Sequence, residues 1–504
     1  MDEANKYSDY DLERLLFRRQ FLLGPREYLP NAYWESLPLV QHLVLSVHCD
    51  LPYYIKRSGD RLVALLGIAL DPGHPEFTEN DILDALVSDL ENIKSLTRKT
   101  WPLSGRWLVI FQDSDNTYLF TDPFGFRSIF YSIEGESSWC ASQPELIRTQ
   151  CDINYSTDHN FLEYQHSADF SRMESPAFGS NTIFQSCKHL LPNHYLDVKQ
   201  ALPVRFYPTE ELSPKTQFEG IIQESTELLK GIFTAVTTRY ESALALSSGW
   251  DSRLLLAASR DVQKKILYFV DRKGILEENH PDVWVPGILA KSLSLNFEVR
   301  SSELELPGWF VSLLSNNVTG ARVLPKSRMI YSKYLEHDQK VYLNGNGGEI
   351  IRNYYDKTCS YDIGELNIGT IIRLIGFQKQ YKFIYDQIET WLNDIDFSAR
   401  ENINILDYLY WEQRIGNWGA QFPSEQDIAV EELSPLNCRQ LINNLLSTPR
   451  EARAAPDYPV FKAMILNLWP EILELPINPP AARPTSLSLR NKLMRRLRGM
   501  ISRD

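Results

Sequence analysis

The sequence predicts two adjoining regions of mixed structure, a β-rich α+β region followed by an α/β region with a parallel sheet. Between Gly105 and Ser132, two strand-like apolar runs flank the turn signal Asp-Ser-Asp-Asn, as in an antiparallel hairpin. Further along, beyond the polar, Pro-containing stretch Ser213–Gln217, short apolar runs alternate with helical patterns. That order is typical of parallel strands joined by helices.

The first region covers about the first 210 residues. From Ala64 to Ser132 its apolar residues come in short alternating or continuous runs, which are typical of strands. The second strand of the hairpin ends in Asp-Pro-Phe-Gly, Asp122–Gly125, which is another turn signal. We therefore expect a β-rich α+β domain over residues 1–210.

The second region begins with a long amphipathic helix. Its apolar face is formed by Phe218, Ile221, Ile222, Leu228, Leu229, Ile232, Phe233 and Val236. Strands are predicted at residues 243–246, 265–270 and 340–343, with helices from Asp251 and through Val285–Leu293 between them. After about residue 365 the pattern is helical almost throughout. This predicts an α/β domain over residues 211–475, followed at 476–504 by a Pro-rich linker and a basic tail.

Composition narrows the function classes. The chain has a formal net charge of -13, which argues against a nucleic-acid partner. Its 6 cysteines are scattered, without a Cys-x-x-Cys pair, so neither a zinc site nor a disulfide framework is indicated. We expect reduced thiols and a cytoplasmic protein.

The two ends of the chain carry charged segments. The first 20 residues lack the apolar core of a signal peptide, and no apolar run approaches the roughly 18 residues of a membrane span, so we expect no transmembrane segment. The basic tail, Leu487–Asp504, could make a weak peripheral contact with an anionic membrane. The alternative is a solvated helical end or a disordered tail.

A Ser-rich turn, Ser247–Ser252 ("SSGWDS"), lies between a predicted strand and the helix that follows it. In parallel sheets such turns bind anions, because exposed N–H groups and the helix dipole attract negative charge. Gly249 would let the backbone approach a phosphate, and the serine hydroxyls can donate. Asp251 suits a magnesium ion held between carboxylate and phosphate oxygens. The turn therefore predicts a magnesium pyrophosphate site, although not a Walker A loop.

This turn resembles the Ser-Gly-Gly-x-Asp-Ser loop of the PP-loop ATP pyrophosphatases, and its surroundings resemble the asparagine synthetase family. The segment Tyr342–Tyr355 is similar to the second strand-end loop of that family, which implies that Glu349 is a further magnesium ligand. The resemblance implies ATP and Mg²⁺ as cofactors. It implies nucleotide-binding positions at Leu246, Ser247, Ser248, Gly249, Asp251, Ser252, Gly345 and Gly347.

Two further segments extend the resemblance. Glu432–Arg453 and Phe461–Leu473 are similar to the C-terminal motifs of the family, which implies that Lys462 neutralises the departing pyrophosphate. Gly105–Ser132 is similar to part of the class II glutamine amidotransferase domain, an Ntn-hydrolase-like fold, with Thr121 and Ser128 replacing an Arg and a Pro of the motif. The second domain is then an adenine nucleotide alpha hydrolase-like fold.

The sequence departs from the family at two functional positions. Glutamine hydrolysis there uses an N-terminal Cys, whereas Asp2 follows Met1 here and the first cysteine is Cys49. We therefore expect no glutaminase activity. Asn346 stands where asparagine synthetases carry Glu and β-lactam synthetases Tyr; because an amide cannot take a proton near neutral pH, Asn346 is expected to orient the acceptor or the adenylate.

The sequence thus predicts an AMP-forming amide ligase. It would adenylate a small-molecule or peptide carboxylate and transfer the acyl group to an amine or ammonia, with the Leu244–Ser247 strand end holding the adenosine. One alternative is an inactive scaffold in a biosynthetic complex. Another is a PP-loop adenylase of tRNA or sulfur metabolism, against which the net charge and the absence of a Cys pair count.

Overall fold

The computed structural model describes residues 9–132, 138–208, 217–395 and 404–480. Within them, two six-stranded antiparallel sheets lie in the first part of the chain and a five-stranded parallel sheet lies in the second. The predicted order, a β-rich α+β region followed by an α/β region with a parallel sheet, is confirmed. The expected boundary near residue 210, Asp2 and the basic tail lie outside the described residues.

The first part of the chain forms the antiparallel sheets. Its strands are β1 Phe21–Gly24, β2 Trp34–Pro38, β3 Val44–His48, β4 Tyr53–Ser58, β5 Arg61–Leu70, β6 Ser104–Gln112, β7 Thr117–Thr121, β8 Phe130–Ser132, β9 Cys140–Ala141, β10 Cys187–His189, β11 His194–Asp197 and β12 Leu202–Arg205. Its helices are α1 Asp9–Leu15, α2 Glu79–Val87, α3 Ile93–Lys99, α4 Pro144–Arg148, α5 His159–Gln165 and α6 Ala168–Arg172. The strand orders are β10-β8-β9-β1-β3-β2 and β12-β11-β7-β6-β5-β4.

The predicted hairpin is β6 and β7, which pair from Leu108↔Thr121 to Gln112↔Thr117. Its turn is closed by Asp113, whose carboxylate accepts the N–H groups of Asp115 and Asn116, both at 2.9 Å. The Asp-Pro-Phe-Gly turn that follows is organised by the buried carboxylate of Asp122, which accepts backbone N–H groups from the residues after it. Local turn chemistry therefore fixes both turns.

The second part forms the parallel sheet and its helices. Its strands are β13 Ser242–Ala245, β14 Ile266–Asp271, β15 Phe297–Arg300, β16 Val341–Leu343 and β17 Glu432–Leu433, in the order β15-β14-β13-β16-β17. Its helices are α7 Phe218–Arg239, α8 Trp250–Ala258, α9 Pro281–Leu293, α10 Gly308–Asn317, α11 Pro325–Leu335, α12 Ile368–Ile375, α13 Lys382–Ile395, α14 Ile405–Tyr408, α15 Ala420–Gln426, α16 Arg439–Leu446 and α17 Pro459–Leu468. A π-helix spans Leu409–Gly419.

The order of the parallel strands reverses direction at β13. The chain runs outward from β13 to β14 and β15, and then returns to place β16 on the other side of β13. In open α/β sheets, ligands bind in the crevice outside the carboxyl ends of the strands at such a reversal. The loops that follow β13 and β16 border this crevice, and they are the two loops that the sequence analysis selects.

A buried ion cluster joins β17 to the antiparallel sheets. Arg106 of β6 contacts Asp427 at 2.6 Å, and Arg127 contacts Glu431 at 2.7 Å. All four side chains are buried. Because Glu431 directly precedes β17, the first part of the chain holds the edge of the parallel sheet in place.

None of the described helices is long and apolar enough to span a bilayer. In the second part, the strands predicted at 243–246, 265–270 and 340–343 are present, and the helix expected from Asp251 begins at Trp250. The two-residue strand β17 interrupts the region expected to be helical, because its pairing with β16 is tertiary and leaves no periodicity in the sequence.

Candidate functional site

A cavity of ≈ 390 Å³ opens at the carboxyl ends of β13, β14 and β16. Five acidic and three basic side chains line it: Asp251, Asp271, Asp282, Glu349, Glu432, Lys273, Lys326 and Lys333. The other lining residues are uncharged, and several of them are apolar or aromatic: Leu246, Phe269, Met329, Trp418 and Phe422. A cavity that combines an apolar wall with convergent charged groups is the usual form of a ligand site.

The first loop, Ser247–Ser252, uses its hydroxyl groups internally. Ser252 Oγ accepts the N–H of Ser247 at 3.1 Å and donates to the Ser247 carbonyl at 2.9 Å. The N–H and Oγ of Ser248 both donate to Asp282 Oδ1, at 2.8 and 2.7 Å. Leu246, Ser247, Asp251 and Ser252 line the cavity, whereas Ser248 and Gly249 are not among its lining residues.

The second loop follows β16 and carries the predicted residues Gly345, Asn346, Gly347 and Glu349. Asn346 donates its N–H to Asn344 Oδ1 at 2.9 Å, and its carbonyl accepts from Ser434 Oγ at 2.8 Å. Gly345, Asn346 and Glu349 line the cavity. Gly347 instead adopts φ +92°, and a Cβ there would overlap the ring of Phe124, in the Asp-Pro-Phe-Gly turn of the first part.

The carboxylate of Asp251 packs against the second loop. A Cβ at Gly345 would lie 2.6 Å from Asp251 Cβ, and a Cβ at Gly348 would lie 2.6 Å from Asp251 Cγ and overlap Oδ1. Neither glycine has a positive φ. Their absent side chains, rather than backbone freedom, therefore make room for Asp251 between the two loops.

Arg352 is a site residue that sequence reasoning missed. Its Nη2 lies 2.5 Å from Asp251 Oδ2, and its Nε donates to Asp251 Oδ1 at 3.2 Å. The same Nη2 is 3.8 Å from Glu349 Oε1. The sequence feature that could have identified Arg352 is its position three residues after Glu349. In the structure both residues lie in the 3₁₀ turn Gly348–Arg352.

Asp251 and Glu349, the two predicted metal ligands, both lie beside the guanidinium of Arg352. Burial raises the pKa of Asp251 to about 7; the guanidinium of Arg352 opposes that rise, and the charge of Glu349 adds to it. On the other side of the pair, the Tyr410 hydroxyl donates to Glu349 Oε2 at 3.0 Å. Two acidic groups are thus held close together with a single guanidinium between them.

The π-helix Leu409–Gly419 contributes two side chains to this region, Tyr410 on Glu349 and Trp418 in the cavity wall. π-Helical geometry is rare and occurs frequently at functional sites. The sequence predicted a helix here without its type, because a π-helix has no distinctive local pattern.

Lysines from α11 form another part of the wall that the sequence analysis did not select. Lys326 and Lys333 line the cavity together with Met329. Lys333 is 1% exposed, and its Nζ donates to Gln426 Oε1 at 3.3 Å. Burial lowers the pKa of each lysine to about 8.

Lys462, the predicted pyrophosphate lysine, is exposed on α17 and is not among the residues that line the cavity. Its neighbour Phe461 points inward, with the Arg352 guanidinium 5.6 Å from its ring centroid. Helix α17 therefore supports the Asp251–Arg352 pair, while the structure gives Lys462 no contact with the cavity.

In the first part of the chain, the structure describes one cluster of three groups that could hold a metal ion, His48, Cys49 and Asp50. Asp50 is engaged by Arg14 and Arg18, each at 2.7 Å. These guanidinium groups neutralise the carboxylate that such a metal ion would need. Cys49 lies within the chain, where no free α-amine accompanies it.

No family model and no curated protein matches the chain. One solved structure, described as the allosteric regulatory enzyme of purine biosynthesis, is similar over 47% of this chain and 56% of its own, at 9% identity and a TM-score of 0.24. Another, the glutamine phosphoribosylpyrophosphate amidotransferase from B. subtilis complexed with ADP and GMP, is similar over 68% and 73%, at 9% identity and a TM-score of 0.22. This similarity is too distant to assign an activity or a residue.

Proposed function

We propose that the protein is a cytoplasmic, ATP-dependent, AMP-forming amide ligase similar to asparagine synthase. It adenylates a carboxylate and transfers the acyl group to an amine or ammonia. The observation that carries this proposal is the convergence of Asp251 and Glu349, from the loops after β13 and β16, on one cavity at the reversal of strand order. In this proposal residues 1–210 are a degenerate amidotransferase-like, Ntn-hydrolase-like domain, and residues 211–475 are a PP-loop domain.

The nucleotide would lie along the end of β13. Ala245, Leu246 and Ser247 line the cavity beside the apolar side chains of Phe269 and Val270, which suits a flat, largely apolar base. The triphosphate would then extend toward the first loop and Asp251. Backbone N–H groups at the start of α8 favour negative charge at that position.

The donor set fits a magnesium ion. Two carboxylates from adjacent loops face one position, and the Nη2 of Arg352 now lies 2.5 and 3.8 Å from their oxygens. Carboxylates together with phosphate oxygens are the ligands that Mg²⁺ prefers. When bound, the ion would neutralise charge that develops on the pyrophosphate. Asp251 and Glu349 would hold it, and Arg352 would shift its contacts with Asp251.

Acyl transfer would follow in the same cavity. The substrate carboxylate attacks the α-phosphorus and pyrophosphate leaves, after which an amine attacks the acyl carbon and AMP leaves. The side chain of Asn346 is a neutral donor and acceptor that can orient the acceptor. Positioning and electrostatic neutralisation supply most of the acceleration in transfers at phosphorus.

A second candidate is the inactive scaffold, which one observation favours. Both carboxylate oxygens of Asp251 are engaged by Arg352. If that pair is permanent, the guanidinium charge of Arg352 opposes a metal ion at Asp251. An AMP-release experiment with Mg²⁺ distinguishes the ligase from the scaffold.

The experiment measures AMP release from ATP and Mg²⁺ with a panel of carboxylates and amines. Wild type is expected to release AMP only when both an acid and an amine are present. Asp251→Asn should lower the rate about a hundredfold, since one preorganised electrostatic contact contributes roughly 3 kcal/mol to lowering a barrier. Asp261→Asn is the matched control, because that carboxylate is 67% exposed and lies outside the cavity.

Two further variants distinguish the adenylation step from the acyl-transfer step. Asn346→Ala should disturb use of the amine and spare adenylation. Lys462→Ala tests the predicted pyrophosphate lysine: a similar loss of adenylation would support that role, and an unchanged rate would reject it. Folded wild type that binds neither ATP nor any carboxylate would favour the scaffold. AMP release by Asp251→Asn at the wild-type rate would refute the site.

A further inference from the structure

One face of α11 lines the cavity with two lysines. Lys326, Met329 and Lys333 stand at i, i+3 and i+7, which is the spacing of a single helix face. Lys326 Nζ lies 3.1 Å from the centroid of the Phe422 ring, and Lys333 Nζ lies 3.8 Å from that of Tyr342. The helix therefore presents both lysines to the cavity.

These amines make few hydrogen bonds with the described residues. Lys333 is almost fully buried, yet a lysine ammonium has three donors and its hydrogen bond here is the single one to Gln426. The nearest carboxylate oxygen to Lys326 is that of Glu174 at 3.7 Å, with a geometry too long for a hydrogen bond. A buried ammonium with unused donors is costly unless a ligand satisfies it.

Charges of both signs act on the two lysines. For Lys326, the charges of Glu174 and Glu425 raise the pKa against burial, Arg322 and Lys273. For Lys333, the charge of Glu432 raises the pKa against burial and Arg300. The opposing carboxyl group on β17, Glu432, is buried, and burial raises its pKa. Arg322 is already paired with Glu425 at 2.9 Å. Among the described residues, none of these carboxylates lies within hydrogen-bond distance of either amine, so Lys326 and Lys333 keep unused donors.

We propose that the α11 face of the cavity is an anion subsite in which Lys326 and Lys333 bind a carboxylate group of the substrate that does not react. Each amine can donate to a carboxylate oxygen, and Met329, Trp418 and Phe422 provide an apolar wall for the carbon chain. The substrate would then carry one carboxylate for this subsite and a second for activation. That last step rests on the proposed function, whereas the binding itself does not.

The same charge chemistry could serve a nucleotide phosphate. The apolar side chains beside the lysines, Met329, Trp418 and Phe422, favour a carboxylate on a carbon chain. The experiment therefore titrates the full chain separately with glutarate, its neutral diamide glutaramide, and ATP. Calorimetry and ligand-observed NMR at pH 7 give the affinities without any need for turnover.

Three variants accompany wild type: Lys326→Met, Lys333→Met and Lys382→Met. The last is the control, since that lysine is 66% exposed on α13 and pairs with Asp386 outside the cavity. Circular dichroism and thermal unfolding verify that each variant folds. Because Lys326 is partly exposed, Lys326→Met keeps the test valid if Lys333→Met should fail to fold.

The expected result is glutarate binding without ATP, at least tenfold weaker in Lys326→Met and Lys333→Met and unchanged within twofold in Lys382→Met. Glutaramide should not bind. Equal glutarate affinity in all proteins, or no glutarate binding by wild type, would overturn the proposal. Loss of ATP affinity alone in the α11 variants would assign the lysines to the nucleotide and also overturn it. Glutarate binding by a protein that never releases AMP would uphold the subsite and reject the ligase.

Discussion

Gly348→Ala adds one methyl group next to the carboxylate of Asp251 and changes no charge. The new Cβ would lie 2.6 Å from Asp251 Cγ and 3.1 Å from Leu436 Cδ1. Carbon atoms pack best at about 3.5–4.0 Å, so Asp251 would have to move by about 1 Å. It has little freedom to do so, because Arg352 holds both of its oxygens and Gly345 closes the other side.

Two effects set the size of the change. Overpacking of this kind costs about 1–3 kcal/mol, and replacing Gly by Ala at a permitted φ returns about 0.4–1 kcal/mol through the unfolded chain. We expect a net loss of about 1–2 kcal/mol in the free energy of unfolding. A 1 Å displacement of a positioned group also costs about a hundredfold in rate, so AMP release should fall by a similar factor.

Urea denaturation measures the stability of this variant and AMP release measures its activity. Gly287→Ala is the matched control, because that glycine lies within α9 and a Cβ there would meet no atom within 4 Å. The control should gain about 0.5–1 kcal/mol, as Gly→Ala does in a helix. If Gly348→Ala were as stable as the control, Asp251 would not pack against the second loop as described.

Three further predictions concern other parts of the molecule. Arg106→Met should cost about 3 kcal/mol by urea denaturation, since it removes the closer of the two guanidinium groups beside the buried Asp427 and leaves Arg127 at 3.8 Å. The exposed Lys382→Met should change stability by less than about 0.5 kcal/mol, and equal effects would deny the buried cluster its role. Burial lowers the pKa of Lys333 from 10.5 to about 8, so the unfolded chain binds more protons between these pH values and the free energy of unfolding should rise with pH there. Urea denaturation at pH 8 and pH 10 should show a smaller rise for Lys333→Met than for wild type. An identical rise would contradict the lowered pKa of Lys333. Purified protein should release no glutamate from glutamine, and robust release would place a nucleophile that the sequence does not suggest.

The sequence predicted the parts of the fold that local patterns determine. Turn chemistry at Asp113 and Asp122 predicted the hairpin and its exit, and apolar runs predicted β13, β14 and β16. The meeting of the two loops could also be predicted, because the carboxyl ends of neighbouring parallel strands share one edge of a sheet. Asp251 and Glu349 were selected from those loops.

What the sequence could not predict depends on tertiary contacts. The Asp251–Arg352 pair joins residues 101 positions apart, and nothing at Arg352 alone distinguishes it from a solvated charge. The spacing of Lys326 and Lys333 was visible, but the surface that their face would meet was not. Lys462 is the converse case: its order in the chain suggested a role at the phosphates, and its exposure on α17 became visible only in three dimensions.

The most direct test of the ligase is isotope exchange between pyrophosphate and ATP. The exchange requires reversible formation of an acyl adenylate, so it reports the adenylation step without knowledge of the amine. With Mg²⁺ and a mixture of mono- and dicarboxylic acids, wild type should move label from pyrophosphate into ATP, and Asp251→Asn should do so about a hundredfold more slowly. Label transfer that is independent of any acid, or equal in wild type and Asp251→Asn, would contradict the account.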